Sequence, residues 1–518
     1  MTNRRSYGYS FKTALLALFA STALFACTPE APPITRVPET PVATTPPPAT
    51  TAAIATTPPL RAEDLVEMSV VTSNKWALAD KTTDLQVRVH LKAKPRKNAK
   101  RPPINLGLVV DTSGSMEGSA IEDARKASLA LLDSLSEGDR LALVVFHSST
   151  EVLVPSTVLT KDNMSAIRTK IAAMKASGTT DLAGGLTAGL AEVTKAFRAD
   201  GINRVVLLGD GVPNDPSQIP GLSQRAAAQR IAITTLGLGL DYDETLMSNL
   251  SLTSGGRYHY LKDSTAVAKV FTDEVLRLKQ VVGGSTTVTL SPGPGVVVKD
   301  VLGLPMQQYG GKSVVMLGDM SEGDERDVLV RLQVTGRHAG SVVELLDADV
   351  GMMSPEQPGT RLSQRAFVSV KSTADAAEIE AGREKDVEHA VAKIALADAI
   401  VKSVALARAG DLNGARKLLD AAEKLAKVAA KEFEDKDLAD KLKSVAEVKK
   451  QLPKMVPPPM PMVAAGPSKV YTPDGMPAAR PESDAKVAAA EPSAPLPAPV
   501  PAVVMKSQAE AMGTIMGM

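Results

Sequence analysis

From Ile104 to about Val281 short aliphatic runs alternate with amphipathic segments, and no other feature of the 518-residue chain restricts its fold as much. The runs "INLGLVV", "RLALVVF", "RVVLLG", "IAITTLGLG" and "RYHYL" have the length and composition of strands. Between them, segments such as Ile121 to Leu135 and Asn163 to Met174 carry apolar residues at helical spacing. Strands without polar alternation must be covered on both faces, and helices that return the chain between parallel strands provide the cover. The pattern predicts an α/β fold built on a doubly wound, mostly parallel sheet.

On both sides of this region the period changes. "EMSVV" and "DLQVRVHL", between Glu67 and Lys92, alternate as strands do, and so do "STTVTL", "GVVVKDVL", "SVVML", "DVLVRLQV", "SVVELL" and "AFVSV" between 284 and 371. Strands before and after the α/β region are most simply one β-sandwich into which that region is inserted, with segments 61–102 and 282–372 flanking 103–281. Residues 373–452 turn helical, broken at "AGDLNG", where Asp411 is a suitable cap for the second helix. The segment resembles one tetratricopeptide-like hairpin, but no repeat at a fixed period follows, so a helical appendage is expected. Residues 453–518 are rich in Pro, Ala and Met and are expected to be disordered. Their methionines lack the histidine or cysteine company of a soft-metal tract.

The amino-terminal stretch reads as an address. Arg4 and Arg5 precede the apolar run Thr13 to Ala26, which is short for a membrane span and suits a signal-peptide core, so 1–26 is expected to be removed. "LFAC", Leu24 to Cys27, resembles a bacterial lipobox, which implies lipidation at Cys27. Cys27 is the single cysteine, so no intrachain disulfide can form. Thr28 stands where an aspartate would favour retention in the inner membrane. The expected location is therefore the cell envelope, at the outer membrane or cell surface. Residues 27–60, dominated by Pro, Thr and Ala, read as a tether from the lipid to the folded part. "NRRSYGYS" departs from the twin-arginine export pattern.

Composition excludes some partners. Lys and Arg number 59 against 58 Asp and Glu, a formal charge of +1, so no basic field recruits nucleic acid. Aromatic residues are 3% of the chain, which leaves few platforms for stacking on bases or sugars.

Chemistry concentrates at the ends of the apolar runs. "DTSGSM", Asp111 to Met116, closes the first run and gathers Asp111, Ser113 and Ser115 in a loop expected to face solvent. In a doubly wound sheet ligands bind outside the carboxyl ends of the strands, which is where this loop falls. "SGTTDLAGG" offers Thr180 just before a helix, and "RVVLLGDGVPND" places Asp210 at a strand end. By itself "DTSGS" reads equally well as a capped helix start. Joined by Thr180 and Asp210, it becomes a hard oxygen set suited to Mg²⁺, Mn²⁺ or Ca²⁺ and unsuited to zinc or copper.

In order and approximate spacing, "DTSGS", "GTTDL" and "LLGDG" resemble the metal-ion-dependent adhesion site of von Willebrand factor A domains, which have a Rossmann-like fold. "GDRLALVVFHSSTEVLVP", "ITTLGLGLDYDETLMSNLSLTSGGRYHYL" and "VFTDEVLRL" extend the resemblance over about Pro103 to Val281. It implies that Ser113, Ser115 and Thr180 bind the cation directly, while Asp111 and Asp210 act through waters and orient the hydroxyls. Gly209 stands where many relatives carry Thr or Ser. The resemblance further implies an open coordination position, filled by a Glu or Asp carboxylate of a partner protein.

Enzyme readings find less support. "YGGKS", Tyr309 to Ser313, ends like a phosphate loop, but Met306 occupies its first glycine position and a strand pattern follows. "GLGL", Gly237 to Leu240, lacks the third glycine of a dinucleotide fingerprint and reads as a tight turn. His90, His147, His259, His338 and His389 are scattered, so a metal-dependent hydrolase would lack its base. The expected function is cation-dependent protein binding by an envelope lipoprotein. An accessory subunit of a membrane or channel-like complex is the alternative.

Overall fold

The computed structural model describes residues 60–96, 101–210, 212–238, 242–261, 267–357, 359–455 and 500–517. The signal segment, Cys27, most of the tether and residues 456–499 lie outside the described residues. The chain opens with α1 (Ala62–Leu65), β1 (Val66–Thr72), β2 (Trp76–Leu78) and β3 (Thr83–Ala93). The α/β region runs through β4 (Ile104–Asp111), α2 (Ser119–Ser134), β5 (Arg140–Phe146), β6 (Thr150–Val158), α3 (Met164–Ala172) and α4 (Leu182–Lys195). It continues with β7 (Ile202–Gly209), α5 (Ile219–Ala228), β8 (Ala232–Leu238), α6 (Glu244–Ser254), β9 (Tyr258–Leu261) and α7 (Val267–Lys279). Then come β10 (Val281–Pro292), β11 (Val296–Val301), β12 (Met306–Tyr309), β13 (Lys312–Ser321), β14 (Glu325–Val334), β15 (Val342–Met353) and β16 (Arg361–Thr373). Helices α8 (Ala376–Ala381), α9 (Lys385–Arg408), α10 (Leu412–Glu432), α11 (Lys436–Gln451) and α12 (Ala502–Met516) follow.

The α/β sheet has the order β6-β5-β4-β7-β8-β9. All neighbours are parallel except β5 and β6. Every residue of β4, β7 and β8 is buried, as their unbroken apolar runs require. Strand β6 is absent from the apolar runs because, at the sheet edge and interrupted by Pro155, it keeps only Val154 buried. Gly237 belongs to β8, where a turn was expected. A Cβ there would come within 2.1 Å of the Tyr242 ring, so packing and not chain reversal accounts for the glycine.

The flanking strands form two sheets, β1-β3-β14-β11 and β12-β13-β10-β15-β16-β2. Strand β3 pairs antiparallel with β14 across the whole α/β region, with Val89 opposite Val328 and Val87 opposite Val330. Val87, Val89 and Leu91 point inward while Arg88 and His90 point outward. "YGGKS" forms the β12–β13 hairpin, with Gly310 and Gly311 both at positive φ (58° and 76°) and Tyr309 paired to Lys312.

The α/β region is held to its neighbours at two places. At the sandwich, Gly255 and Gly318 bring two backbones together so closely that a Cβ on Gly318 would lie 1.6 Å from the Gly255 carbonyl oxygen. Around them the buried Asp324 accepts from Arg257, Arg277 and Arg326, and Arg204 donates to the partly buried Asp319 at 2.7 Å. At the helices, Arg408 of α9 donates to Asp243 (3.0 Å) and Glu244 (3.3 Å) at the start of α6. Burial pushes the Glu244 carboxyl from its ordinary 4.5 to about 7, against the pull of Arg408. The folded chain thus holds a proton that the unfolded chain has already released, so stability is lost as pH rises from 4.5 through about 7. Urea unfolding at the two ends of this window should show wild type losing up to about 3 kcal/mol more than Glu244→Gln. Equal losses would remove Glu244 from the account.

Residues 376–455 form more than one hairpin. Asp411 caps α10 by accepting from the Gly414 amide at 2.8 Å, as expected, and a second break at Glu434 (φ 51°) and Asp435 starts α11. The expectation of disorder over 453–518 fails at its far end, where α12 packs against α9, α11 and β9. Val504, Met505, Ala511, Met512, Ile515 and Met516 are buried there. Their helical spacing supplies an apolar stripe that the surrounding composition conceals.

Candidate metal centre

Strands β4 and β7 are neighbours and end side by side, with Val110 opposite Leu208, so Asp111 and Asp210 emerge at the same edge of the sheet. The chain leaves β4 through a turn tied to β5, where the Phe146 carbonyl accepts from the Thr112 amide (2.8 Å) and hydroxyl (3.0 Å). Asp111 Oδ1 accepts from the Ser113 amide at 2.8 Å, which fixes the next residue. A 3₁₀ turn, Gly114–Met116, then presents Ser115. Ser113 Oγ lies 3.0 Å from Ser115 Oγ, and Ser115 Oγ donates to Asp210 Oδ1 at 2.9 Å.

This settles what the hydroxyls are doing locally. Ser113 makes no side-chain capping bond to the turn it precedes, and α2 starts later, behind Gly118. The serines are bonded to each other and to a distant carboxylate instead. Asp111 and Ser113, expected in a solvent-facing loop, are 0% and 1% exposed, because the loop carrying Thr180 folds over them. That loop is attached by backbone bonds: the Gly114 amide donates to the Gly178 carbonyl (3.0 Å) and the Ser177 amide to the Thr112 carbonyl (2.8 Å). Gly178, at φ 74°, leaves no room for a Cβ beside Ser148.

Thr180 is itself buried, and its carbonyl accepts from the Asn214 amide at 3.0 Å in the loop after Asp210. Three loops thus converge with Asp111, Ser113, Ser115, Thr180 and Asp210 among them. The positioning residues Thr112, Ser148, Asp181 and Asn214 escaped the sequence reading. Asp181, whose Oδ1 accepts from Gly184 N at 3.0 Å to cap α4, carried a legible signal, an Asp at a helix start. Ser148 and Asn214 carried none, since their partners are distant in sequence.

A divalent cation suits this donor set. Two carboxylates are brought to 0% and 9% exposure beside hydroxyls, which gathers oxygen donors of the kind a hard cation takes. An octahedral ion with bonds of about 2.1 Å spaces adjacent ligand oxygens about 3.0 Å apart. The 3.0 Å between Ser113 Oγ and Ser115 Oγ is compatible with that edge, as it is with the hydrogen bond the two hydroxyls make to each other. Ca²⁺, with bonds of about 2.4 Å, would need them wider. A side chain at 209 would sit 3.4 Å from Asp111 Oδ2, an ordinary contact, so space does not dictate Gly209.

Residues 105–273 match the model of the von Willebrand factor type A domain. An uncharacterised protein of Synechocystis sp. is 28% identical over 280 residues, covering 51% of this chain and 66% of that protein. The uncharacterised protein YfbK of Escherichia coli is 27% identical over 264 residues, 49% of this chain and 46% of its own. Human inter-alpha-trypsin inhibitor heavy chain H4 is 28% identical over 186 residues, 33% of this chain and 20% of its own. The matched part thus spans less than two thirds of each relative. Among solved structures, a von Willebrand factor type A protein from Catenulispora acidiphila superposes with TM-score 0.61 at 16% identity, over 74% of this chain and 89% of that one. The ArnB paralog VWA2 of Sulfolobus acidocaldarius gives TM-score 0.52 at 17% identity, over 75% of this chain and 98% of that one. These likenesses show the fold.

Proposed function

We propose that this chain, which carries a von Willebrand factor type A domain, is a lipid-anchored protein of the cell envelope that binds a protein partner through a divalent cation, Mg²⁺ foremost. The observation that carries the reading is the unbroken oxygen chain from Ser113 through Ser115 to Asp210, closed over by the Thr180 loop. Ser113, Ser115 and Thr180 would hold the cation, and Asp111 and Asp210 would orient them and balance its charge. When bound, the cation supplies an electrophilic position for a Glu or Asp carboxylate of the partner. Ser115 is the exposed member of the set, so the partner approaches from its side.

Binding is favoured over catalysis by the histidines. His90, His259 and His389 are each paired with a carboxylate of the surrounding framework, Asp327, Glu274 and Asp435 respectively, while the exposed His338 lies beside the exposed Asp80. His147 accepts from the Ser149 amide at 3.3 Å in the β5–β6 hairpin. His90, His259 and His389 are thereby tied into the framework. Among the described residues no helix is long and apolar enough to cross a membrane. The proposed attachment is the lipid on Cys27.

Membrane extract passed over the immobilised chain tests the function. A specific protein should be retained in Mg²⁺, released by EDTA and recaptured when Mg²⁺ is restored. Retention indifferent to EDTA would sink the proposal. For the anchor, Cys27→Ser should yield a product without lipid mass that no longer partitions with detergent-extracted membranes. Unchanged mass and partitioning would count against lipidation.

A further inference from the structure

Away from the metal centre, a cavity of about 510 Å³ opens where the sandwich, α9, α11 and the carboxyl end of α12 meet. Its volume falls within the range of small-molecule sites, about 300–1,000 Å³. The wall is polar and its charges are unevenly satisfied. Arg88 and His90 of β3 share Asp327, at 2.7 and 2.8 Å. On the helical side one carboxylate, Asp435, serves the His389 ring (2.8 Å), the Leu438 amide (2.9 Å) and, more distantly, the Lys393 ammonium (3.5 Å). Lys441, facing the same cavity, donates among the described residues only to the neutral Thr514 hydroxyl, at 2.6 Å.

Two half-buried ammonium groups on facing helices therefore share a cavity in which, among the described residues, one is weakly paired and the other has no carboxylate at ion-pair distance. Burial and the charge of Lys393 both hold the Lys441 ammonium below its ordinary range. Asp386, Asp437 and Glu325 also line the cavity and are exposed, Glu325 being paired with Lys92 at 2.7 Å. This exposed acidic rim repels polyanions and surfaces of like charge, while the space behind it accepts a compact anion.

We propose that this cavity binds a small ligand whose carboxylate or phosphate group sits between Lys393 and Lys441. The anion would supply the charged acceptor that Lys441 lacks and separate two like charges, as charge-assisted bonds to oxyanions do. A ligand with a cationic end directed to the Asp386 and Asp437 rim fits better than one carrying negative charge throughout.

Calorimetric titration of the full chain with inorganic phosphate and with succinate, against chloride at matched ionic strength, tests this and separates the two anion chemistries. Saturable one-site binding of either probe is expected, weakened at least about tenfold in Lys393→Met/Lys441→Met. Asp437→Asn, at the exposed rim, gives a second readout that leaves the lysines in place, and it should tighten binding several-fold. The proposal is overturned if neither probe saturates on the wild-type chain, or if the double substitution leaves affinity within about twofold. It is equally overturned if Asp437→Asn leaves affinity unchanged or weaker.

Discussion

Ser113→Ala combined with Ser115→Ala is expected to abolish measurable Mg²⁺ binding while leaving the fold intact. Calorimetry should show affinity reduced by more than about 100-fold, beyond the 10–100-fold typical of outer-shell changes, since two proposed direct ligands are removed. The cost to stability should stay near 1–2 kcal/mol, because the pair gives up two side-chain hydrogen bonds and one of the two residues is exposed. Asp111→Ala is the poorer test. Asp111 is fully buried and Oδ1 holds the Ser113 amide, so its loss would disturb the loop whether or not a metal binds. If the double serine variant binds Mg²⁺ like wild type, the cation sits elsewhere and the converging loops have another purpose.

Met505→Asp is expected to expel α12 from its place and to destabilise the chain by at least about 3 kcal/mol, since it puts a charge where a fully buried apolar side chain packs. Hydrogen exchange should then show residues 502–516 unprotected and faster exchange in α9, whose Leu396, Ala397 and Ile400 face the helix. Met512→Ala offers a milder version, with a loss of about 2–4 kcal/mol expected for a buried large side chain cut to a methyl. Wild-type protection of 502–516 in the Asp variant would mean that α12 is held by something other than its apolar stripe.

The two predictions rest on features of unequal legibility. The parallel sheet could be read from the chain because strands buried on both faces cannot carry polar residues, so β4, β7 and β8 announce themselves as aliphatic runs. The insertion in a sandwich could be read for the converse reason: β3 and β14 alternate, as strands covered on one face must. The residues of the proposed metal centre were visible as residue types at strand ends, where a sheet of this topology places its ligands.

What the tertiary structure alone decided is how those segments meet. The Ser115 to Asp210 bond spans 95 residues and the Gly114 to Gly178 bond brings in a third loop, and no local pattern encodes either. Burial of Asp111 and Ser113 follows from that closure and reverses the solvent-facing position their loop suggested. Strand β6 needed its neighbour β5 to become a strand, since an edge position imposes no apolar run. Helix α12 needed the groove of α9 and α11, because a short helix gains most of its stability from burying one face against a surface assembled from other parts of the chain. Periodicity records which face of a segment avoids water; it does not record which distant segment will cover that face.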